Sequence, residues 1–453
     1  MWPRPAPGPS NVSDLNHLDL KQLAREIAAE TLAAIDIPLT MRQKLARIGS
    51  RIQFEGELID LAGYDPIAAI AVGKASVAMA RGFADLLAGD FSFEGFLVAP
   101  HESVAQVPGF RAMGAGHPIP DAGSIAAARA IVDLLSKCDS RTLVFFLLSG
   151  GGSSLIELPL DPGITLEDLQ QLNRVLVECG ASINEINSVR KHFSAVKGGR
   201  LAALAAPSLK LSLAITDVPA GYESALASGP TLPDPTMVVD VRSVIKKYEL
   251  EAKLPLSMRA KFARPESIPE TPKPGDPAFA RARFSLLLTM HDLFHHAHRA
   301  AEARGFVTQC DNVTDDWPVA RAAAYLLDQF ARLADANPGR RVALIADGEI
   351  SSPVRGNGIG GRNSAFVLEC VQKIAGKRIA VLSLGTDGKD GSSAAAGAVA
   401  DGKTLERAVA AGLNPEEFAA RSDSYSFFRK LGDAIETGPT GNNLRDLRIL
   451  LAE

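Results

Sequence analysis

Apolar runs of strand length recur along the chain, and each is followed by glycine and then a helix-like pattern. Residues 67–72 predict a buried strand and residues 75–87 a helix, in the segment IAAIAVGKASVAMARGFADLL. Further runs of this kind are GFLVAP, TLVFFLLSGGGSSL, LKLSLAITDV, RRVALIADGE and KRIAVLSLGTDG. Strands that are apolar at every position indicate a sheet buried on both faces, and alternation with helices indicates parallel β-α-β units. The pattern predicts the α/β class.

One proline-rich segment interrupts this alternation. Residues 263–279, ARPESIPETPKPGDPAF, carry five prolines and few apolar residues, which excludes a helix or sheet interior. We therefore predict a linker at 266–280, between an N-terminal domain at 21–265 and a smaller C-terminal domain at 281–453. Residues 1–20 begin with the proline-rich MWPRPAPGPS and are expected to be a disordered or frayed tail.

Composition narrows the classes of partner. The chain has 453 residues, of which 46% are hydrophobic and 22% charged, with a net charge of −4. That charge gives no electrostatic reason to expect a nucleic-acid or anionic-membrane partner. The sequence contains no signal-peptide core, no apolar run of about 18 residues and no CxxC pair among its four cysteines. We expect a cytoplasmic protein, and the sequence leaves a homodimer open.

Glycine-rich loops follow several of the predicted strands, at the edge of a parallel sheet where ligands bind. Glycine lets the backbone approach a ligand, hydroxyl groups add donors, and a following helix adds a positive dipole end. Any one of these loops could equally be an ordinary turn, but together they indicate a nucleotide or another phosphorylated ligand. The candidate ligand residues in these loops are Ser149, Gly150, Gly151, Gly152, Ser153, Ser154, Glu349, Gly385, Thr386, Asp387 and Gly388.

Known nucleotide and hydrolase motifs do not fit these loops. AVGKAS lacks the first glycine of a P-loop, because Ala68 stands there, and Ala75 replaces the hydroxyl residue after Lys74. A serine-hydrolase elbow would need glycine at Leu155. Lys74 nevertheless lies where a strand meets a helix, so it is a candidate for the site, with a solvated helix-start lysine as the alternative.

The segment GNGIGGRN formally contains G-x-G-x-x-G at Gly356, Gly358 and Gly361, but it does not directly follow a buried strand. It fits a dinucleotide fingerprint poorly and fits better an anion-binding loop that ends in Arg362 at the start of a helix. The segment NEINSVRKHFSAVKGGRLA is rich in basic residues and is broken by two glycines. An anion-facing element there would use Arg190 and Lys197, although a solvated basic face is the alternative.

Taken together, these motifs resemble those of the glycerate 2-kinases that carry a C-terminal MOFRL domain, which are often labelled hydroxypyruvate reductase. They occur in family order from about residue 20 to the end of the chain. The matching segments are AVGKAS, GHPIPD (116–121), LLSGGGSSL, INSVRKHFSAVKGGRLA, ITDV…ASGPT (215–231), GNGIGGRN, GTDGKDG…AAGAVAD and GPTGNNLRDL (438–447).

The resemblance implies ATP- and Mg²⁺-dependent phosphorylation of the 2-hydroxyl of D-glycerate, or of a related short hydroxy acid. It also implies a Rossmann-like N-terminal domain, an α/β C-terminal domain and an active site in the cleft between them. The family's suspected catalytic lysine falls on Lys74 and its GGRN arginine on Arg362. We expect these two cations to neutralise the transferring phosphoryl group as the domains close. Asp217 and Asp387, at strand ends, are candidates for Mg²⁺ binding or proton acceptance, or else are turn and helix caps.

Three departures from the family pattern keep other functions open. AGYES (220–224) replaces a Gly-Asp-rich stretch, Ser364-Ala365 replaces Gln-Glu, and Ala394 replaces an aspartate. Acidic or amide groups are lost at each place, so the substrate could differ. The alternatives are an NAD(P)H-dependent hydroxypyruvate reductase and a catalytically silent ligand-binding relative.

Overall fold

The structure, a computed structural model, describes residues 19–216, 218, 221–262, 264, 267–442 and 444–453. The chain divides into two compact units. The first unit comprises Ala34–Leu293 and Pro439–Arg445, and the second comprises the described residues up to Ala33 together with Phe294–Gly438 and Asp446–Glu453. The predicted two-domain α/β architecture is confirmed.

The strands are numbered along the chain. They are β1 Arg47–Ile48, β2 Arg51–Phe54, β3 Glu57–Asp60, β4 Ile67–Val72, β5 Glu94–Pro100, β6 Phe110–Ala115, β7 Leu143–Leu148, β8 Leu209–Thr216, β9 Ala282–Thr289, β10 Val307–Asp311, β11 Val342–Ala346, β12 Ile379–Gly385, β13 Gly397–Asp401, β14 Ala434–Ile435 and β15 Asp446–Ala452.

The α-helices are numbered in the same way. They are α1 Leu20–Ala34, α2 Ile37–Lys44, α3 Ser76–Leu87, α4 Ala122–Leu135, α5 Gly152–Leu155, α6 Leu166–Glu178, α7 Ile183–Phe193, α8 Arg200–Leu204, α9 Val238–Lys247, α10 Leu256–Phe262, α11 Met290–Glu302, α12 Val319–Asp335, α13 Arg362–Ile374, α14 Thr404–Ala410, α15 Pro415–Ala420 and α16 Ser424–Leu431.

The first unit is built on a six-stranded parallel sheet with the order β6-β5-β4-β7-β8-β9. Counted from β4, this order is 3-2-1-4-5-6, which is the Rossmann order that the resemblance implied. Every residue of β4 and of β7 is buried, as their uninterrupted apolar sequences predict. The strand order reverses between these two central strands, so a ligand crevice is expected at their carboxyl ends.

Helices α6, α7, α9 and α10 of the first unit enclose a second apolar core, which includes Leu172, Val189 and Met258. Capping boxes begin α6 at Thr165 and α7 at Ser182, where side chain and backbone groups satisfy one another's free donors. This helical layer fixes α7, which carries most of the basic segment singled out in the sequence.

The second unit contains a six-stranded mixed sheet with the order β10-β11-β15-β12-β13-β14. Only β10 and β11 are parallel neighbours within it, and β15 pairs antiparallel with both β11 and β12. The sequence pattern predicted parallel units here as well. The difference arises because the last strand, DLRILLA, returns between the two strands that the pattern had identified.

The predicted boundaries at 265 and 281 differ from the division in the structure. Strand β9 pairs in parallel with β8 and closes the sheet of the first unit, because its apolar residues continue the buried layer. Thr271, in the predicted linker, is buried and donates from Oγ1 to Asp234 at 2.9 Å. Residues 1–18 of the predicted tail lie outside the described residues, and α1 joins the second unit, where Lys21 forms an ion pair with Asp433.

Candidate active site

The loops after β4 and β7 are joined where the strand order of the first sheet reverses. The Lys74 amide donates to the Gly150 carbonyl at 2.9 Å, and the Ala75 amide donates to Ser149 Oγ at 3.0 Å. Gly73 has a φ of +129°, and a Cβ there would lie 2.1 Å from Ser149 Oγ. Only glycine permits this approach. The glycine after the strand therefore holds Lys74 against the Gly-Ser loop at the predicted crevice.

An imidazole lies next to this loop. Gly151 has a φ of +84°, and a Cβ there would lie 3.2 Å both from Lys74 Cγ and from His117 Cε1. His117 Nδ1 lies 3.0 Å from Ser154 Oγ. Burial and then the charge of Lys74 lower the pKa of His117 below its ordinary 6.5. His117 lies in the motif GHPIPD and was not among the predicted site residues. Its place just after β6, at the same edge of the sheet, could have identified it.

A hydroxyl chain continues from the same loop. Ser153 Oγ lies 2.8 Å from Ser228 Oγ, which donates to Asn187 Oδ1 at 3.1 Å. Ala227 and Ser228 both have positive φ, at 50° and 59°, and such strained non-glycine backbone often marks functional sites. Neither Asn187 nor Ser228 was predicted, because their meeting with Ser153 depends on tertiary structure.

The basic segment does not act as one anion-facing patch. Lys197 is fully buried, and its Nζ lies 2.5 Å from Glu157 Oε2 and 3.2 Å from the Ile156 carbonyl. Lys191 is likewise buried, in an ion pair with Asp234 at 3.2 Å. Burial lowers the pKa of Lys197 to about 8, against the opposing effect of the Glu157 charge. The Lys197 ammonium therefore already has protein partners, and its contact with a ligand stays a prediction.

Arg190 differs from these two lysines. Its Nε is buried and has no hydrogen-bond partner among the described residues. Burial lowers the pKa of the Arg190 guanidinium, and the charge of Glu157 opposes that shift. A buried donor without a partner carries a free-energy cost that a bound anion would relieve. The Nε of Arg200, in the same segment, shares this property, and Arg190 stays the predicted anion ligand.

Arg362, at the start of α13 in the second unit, is held by two carboxylates. It donates from Nε and Nη2 to Asp446 at 2.6 and 3.1 Å, and from Nη1 to Glu349 at 3.0 Å. Burial lowers the pKa of Arg362, but the hydrogen-bonded Asp446 and the charge of Glu349 outweigh that effect and raise this pKa overall. The guanidinium is thus permanently charged and fixed in orientation, yet about a third of the side chain is exposed, at 34%.

The carboxylate of Asp446 is itself held by a buried arginine. Arg448 of β15 is fully buried and lies 3.4 Å from Asp446 Oδ2. It also donates to the carbonyls of Asp347 and Gly348, at 3.1 and 2.8 Å, just beyond the end of β11. Asp446 and Arg448 were not among the predicted site residues, although they stand in or next to the motif GPTGNNLRDL.

The glycines before Arg362 pack against the second unit's own backbone. A Cβ on Gly358 would lie 2.5 Å from the Arg421 carbonyl. This close packing explains why glycine stands at position 358, and binding of a dinucleotide is not needed to explain it. Ser364, one of the departures, donates from Oγ to the buried Asp390 at 2.6 Å and lies 2.8 Å from Ser424 Oγ. Ser364 therefore helps to fix the start of α13 next to Arg362.

The loop Gly385–Gly388 follows β12, as predicted. Within it, Asp387 Oδ1 accepts a hydrogen bond from the Lys389 amide at 2.9 Å, a turn-capping contact. Asp217, the other predicted metal ligand, lies outside the described residues. Among those that are described, no three histidine, cysteine or acidic side chains converge as candidates to hold a metal ion.

The chain matches two families of known proteins. Residues 23–263 match the domain of unknown function DUF4147, and residues 342–446 match the MOFRL family. A Thermotoga maritima protein named D-glycerate 2-kinase is 33% identical over 434 residues, which cover 95% of this chain and 98% of that protein. An Agrobacterium vitis protein that bears the name hydroxypyruvate reductase is 35% identical over 391 residues, covering 84% and 86%.

Solved structures show the same architecture. The crystal structure of a glycerate kinase from Thermotoga maritima, 33% identical, matches with a TM-score of 0.82 over 96% of this chain and 99% of that one. A second, of a Pyrococcus horikoshii protein, is 30% identical and matches with a TM-score of 0.80 over 97% and 99%.

A Rossmann-ordered sheet joined to a MOFRL domain defines the class to which this chain is assigned. The chain belongs to the glycerate 2-kinase family with DUF4147 and MOFRL domains, as its motifs indicated. Within the described residues, no helix is both long enough and apolar enough to cross a bilayer.

Proposed function

We propose that this protein is an ATP-dependent kinase that phosphorylates the 2-hydroxyl of D-glycerate, or of a closely related short hydroxy acid, to give 2-phosphoglycerate or its analogue. The observation that carries the proposal is the position of Lys74, held by Gly73 and the Gly150 carbonyl at the crevice of a Rossmann-ordered sheet. Relatives named glycerate 2-kinase that match over almost the whole chain support the choice of substrate.

Phosphoryl transfer requires mainly positioning and charge stabilisation. In this proposal Lys74 neutralises charge on the transferring phosphoryl group, and backbone amides and hydroxyls of residues 149–154 bind phosphate or the substrate carboxylate. Arg190 is the anion ligand of α7, and Arg362 is the second catalytic cation. Lys197 is assigned instead to the buried ion pair with Glu157.

Mg²⁺ is proposed to enter with ATP. Magnesium is commonly held by one or two carboxylates together with substrate phosphates, so a closed protein cage of acidic groups is not required. Asp387 supplies a carboxylate at the end of β12, and Asp217 remains a proposal from the sequence. The metal would neutralise phosphate charge, and the roles of the protein's own cations do not depend on which carboxylate binds it.

The test is ADP formation by the full chain with D-glycerate, ATP and Mg²⁺, followed by identification of the phosphorylated carbon by ³¹P NMR. We expect Lys74→Met to lower kcat by about 10²-fold or more, because charge stabilisation in the transition state is lost. Lys137→Met is the matched control, since that lysine is 74% exposed and pairs with the exposed Asp133. Near-normal turnover of Lys74→Met would exclude Lys74 from the chemistry.

The same preparation distinguishes the alternatives. Oxidation of NADH with hydroxypyruvate, in the absence of ADP formation, would identify a reductase. Tight ligand binding without either activity would identify a silent relative. A cytoplasmic location and a homodimer remain predictions, which fractionation and light scattering would test.

A further inference from the structure

We propose that His117 is the group that accepts the proton of the substrate hydroxyl, through its Nε2. This inference rests on the proposed kinase function and adds to it a catalytic residue for the proton transfer. The sequence analysis had considered only Asp217 and Asp387 for that role.

The position of His117 is the first argument. A Cβ added at Gly151 would lie 3.2 Å both from Cε1 of His117 and from Cγ of Lys74. The proposed phosphoryl-binding cation and the imidazole thus flank the same residue of the loop after β7. A hydroxyl group that attacks a phosphoryl group bound at Lys74 would be close to this ring.

The hydrogen bonds of Ser154 determine which ring nitrogen can accept a proton. We assign the single proton of Ser154 Oγ to the Gly151 carbonyl, which lies 3.3 Å away, and with this assignment the same oxygen accepts a hydrogen bond from Nδ1–H of His117 at 3.0 Å. The neutral imidazole then has its lone pair on Nε2. None of the described residues makes a hydrogen bond to that atom.

The charges around the ring favour the neutral form that a base requires. Burial and the Lys74 ammonium lower the pKa of His117, while the Glu102 carboxylate and the Gly151 carbonyl oppose the shift. Because this lowered pKa favours the neutral imidazole, the ring is in the form that can accept a proton.

The proposed step is balanced. The hydroxyl O–H bond breaks and its proton moves to Nε2 while the hydroxyl oxygen forms a bond to the γ-phosphorus of ATP. The bond from that phosphorus to the bridging oxygen breaks, and ADP leaves with the electron pair. The imidazolium later releases the proton to solvent, which restores the neutral ring.

The kinetic test compares kcat and kcat/KM of the full chain between pH 5 and pH 9, with D-glycerate, ATP and Mg²⁺. General-base catalysis typically contributes about 10²–10⁴-fold, so His117→Gln should lower kcat by that factor, leave the KM for ATP within about 3-fold and lose the acidic limb of the profile. His101→Gln is the matched control, because that histidine is 59% exposed and bonds to Asp121. It should keep the wild-type profile.

A measurement on the wild-type protein does not depend on the folding of a variant. In ¹⁵N-histidine NMR spectra, His117 should be the Nδ1–H tautomer with a pKa below 6.5. Ser154→Ala should weaken that preference and lower kcat more than it changes KM. An Nε2–H tautomer in the wild type, or an acidic limb that persists in His117→Gln, would overturn the proposal. If the wild type itself does not phosphorylate D-glycerate or related hydroxy acids, the proposed function fails first, and this inference fails with it.

Discussion

The buried pair of Lys197 and Glu157 allows a sharp test of which basic residues are structural. Glu157→Gln keeps an oxygen that can accept from Ser194 Oγ and the Leu158 amide, which donate to Glu157 Oε1 at 2.7 and 3.1 Å. It removes the negative charge and replaces the Oε2 acceptor with an amide donor that faces the Lys197 ammonium, whose side chain is 0% exposed.

The size of the effect follows from this burial. Removing one partner of a buried ion pair costs about 3–5 kcal/mol, because the remaining charge is desolvated without compensation. For a unit of this size, that is a fall in Tm of roughly 6–20 °C. The double variant Glu157→Gln/Lys197→Met removes the orphaned cation as well. It should recover to within about 1–2 kcal/mol of the wild type.

The pH dependence has a definite sign. Burial lowers the pKa of Lys197 to about 8 in the folded protein, from 10.5, so the unfolded chain binds more protons between these values and stability rises with pH there. The Glu157 charge raises the pKa of Lys197, so Glu157→Gln lowers that pKa further. The pH range in which stability rises with pH therefore begins at a lower pH in the variant. The stability deficit of Glu157→Gln should therefore be smaller at pH 9 than at pH 6.

Differential scanning calorimetry of the full chain at pH 6 and pH 9 measures the Tm of each variant. The unfolding transition of the first unit is the one to follow. Isothermal titration with Mg-ATP provides the functional control, and the double variant should bind within about 3-fold of the wild type. A Glu157→Gln protein as stable as the wild type would refute the account of the ion pair. A double variant that folds but no longer binds Mg-ATP would show that Lys197 or Glu157 is needed for ligand binding.

Two further substitutions test the site itself. Gly151→Ala places a Cβ against the His117 and Lys74 side chains at a φ of +84°. It should cost about 1–2 kcal/mol of stability and, because it displaces the loop, lower kcat by about 10²-fold. Unchanged turnover would show that the close packing of these side chains on Gly151 is not required. Arg362→Lys loses the two-point contact with Asp446 and should lower kcat by about 10²-fold or more in the ADP assay. A rate within a few-fold of the wild type would show that any cation suffices at position 362.

Much of the fold could be predicted from local pattern. The strand predicted at residues 67–72 coincides with β4, and the apolar run that contains β7 was identified as a strand, because a short apolar run followed by glycine favours a strand buried on both faces. The place of Lys74 after β4 followed from the same reasoning. The position of β15 between β11 and β12 did not, since an apolar run carries no information on which strands it will pair with.

The α/β class, the glycine loops at strand ends and membership of the family follow from local sequence pattern. Which cations are already neutralised depends on the three-dimensional packing. Lys197 and Glu157 are separated by 40 positions along the chain, yet their charged atoms lie 2.5 Å apart, whereas Arg190 in the same basic segment has a buried Nε without a partner among the described residues. Charge is a property of the residue, but whether that charge is available to a ligand depends on what the fold places beside it.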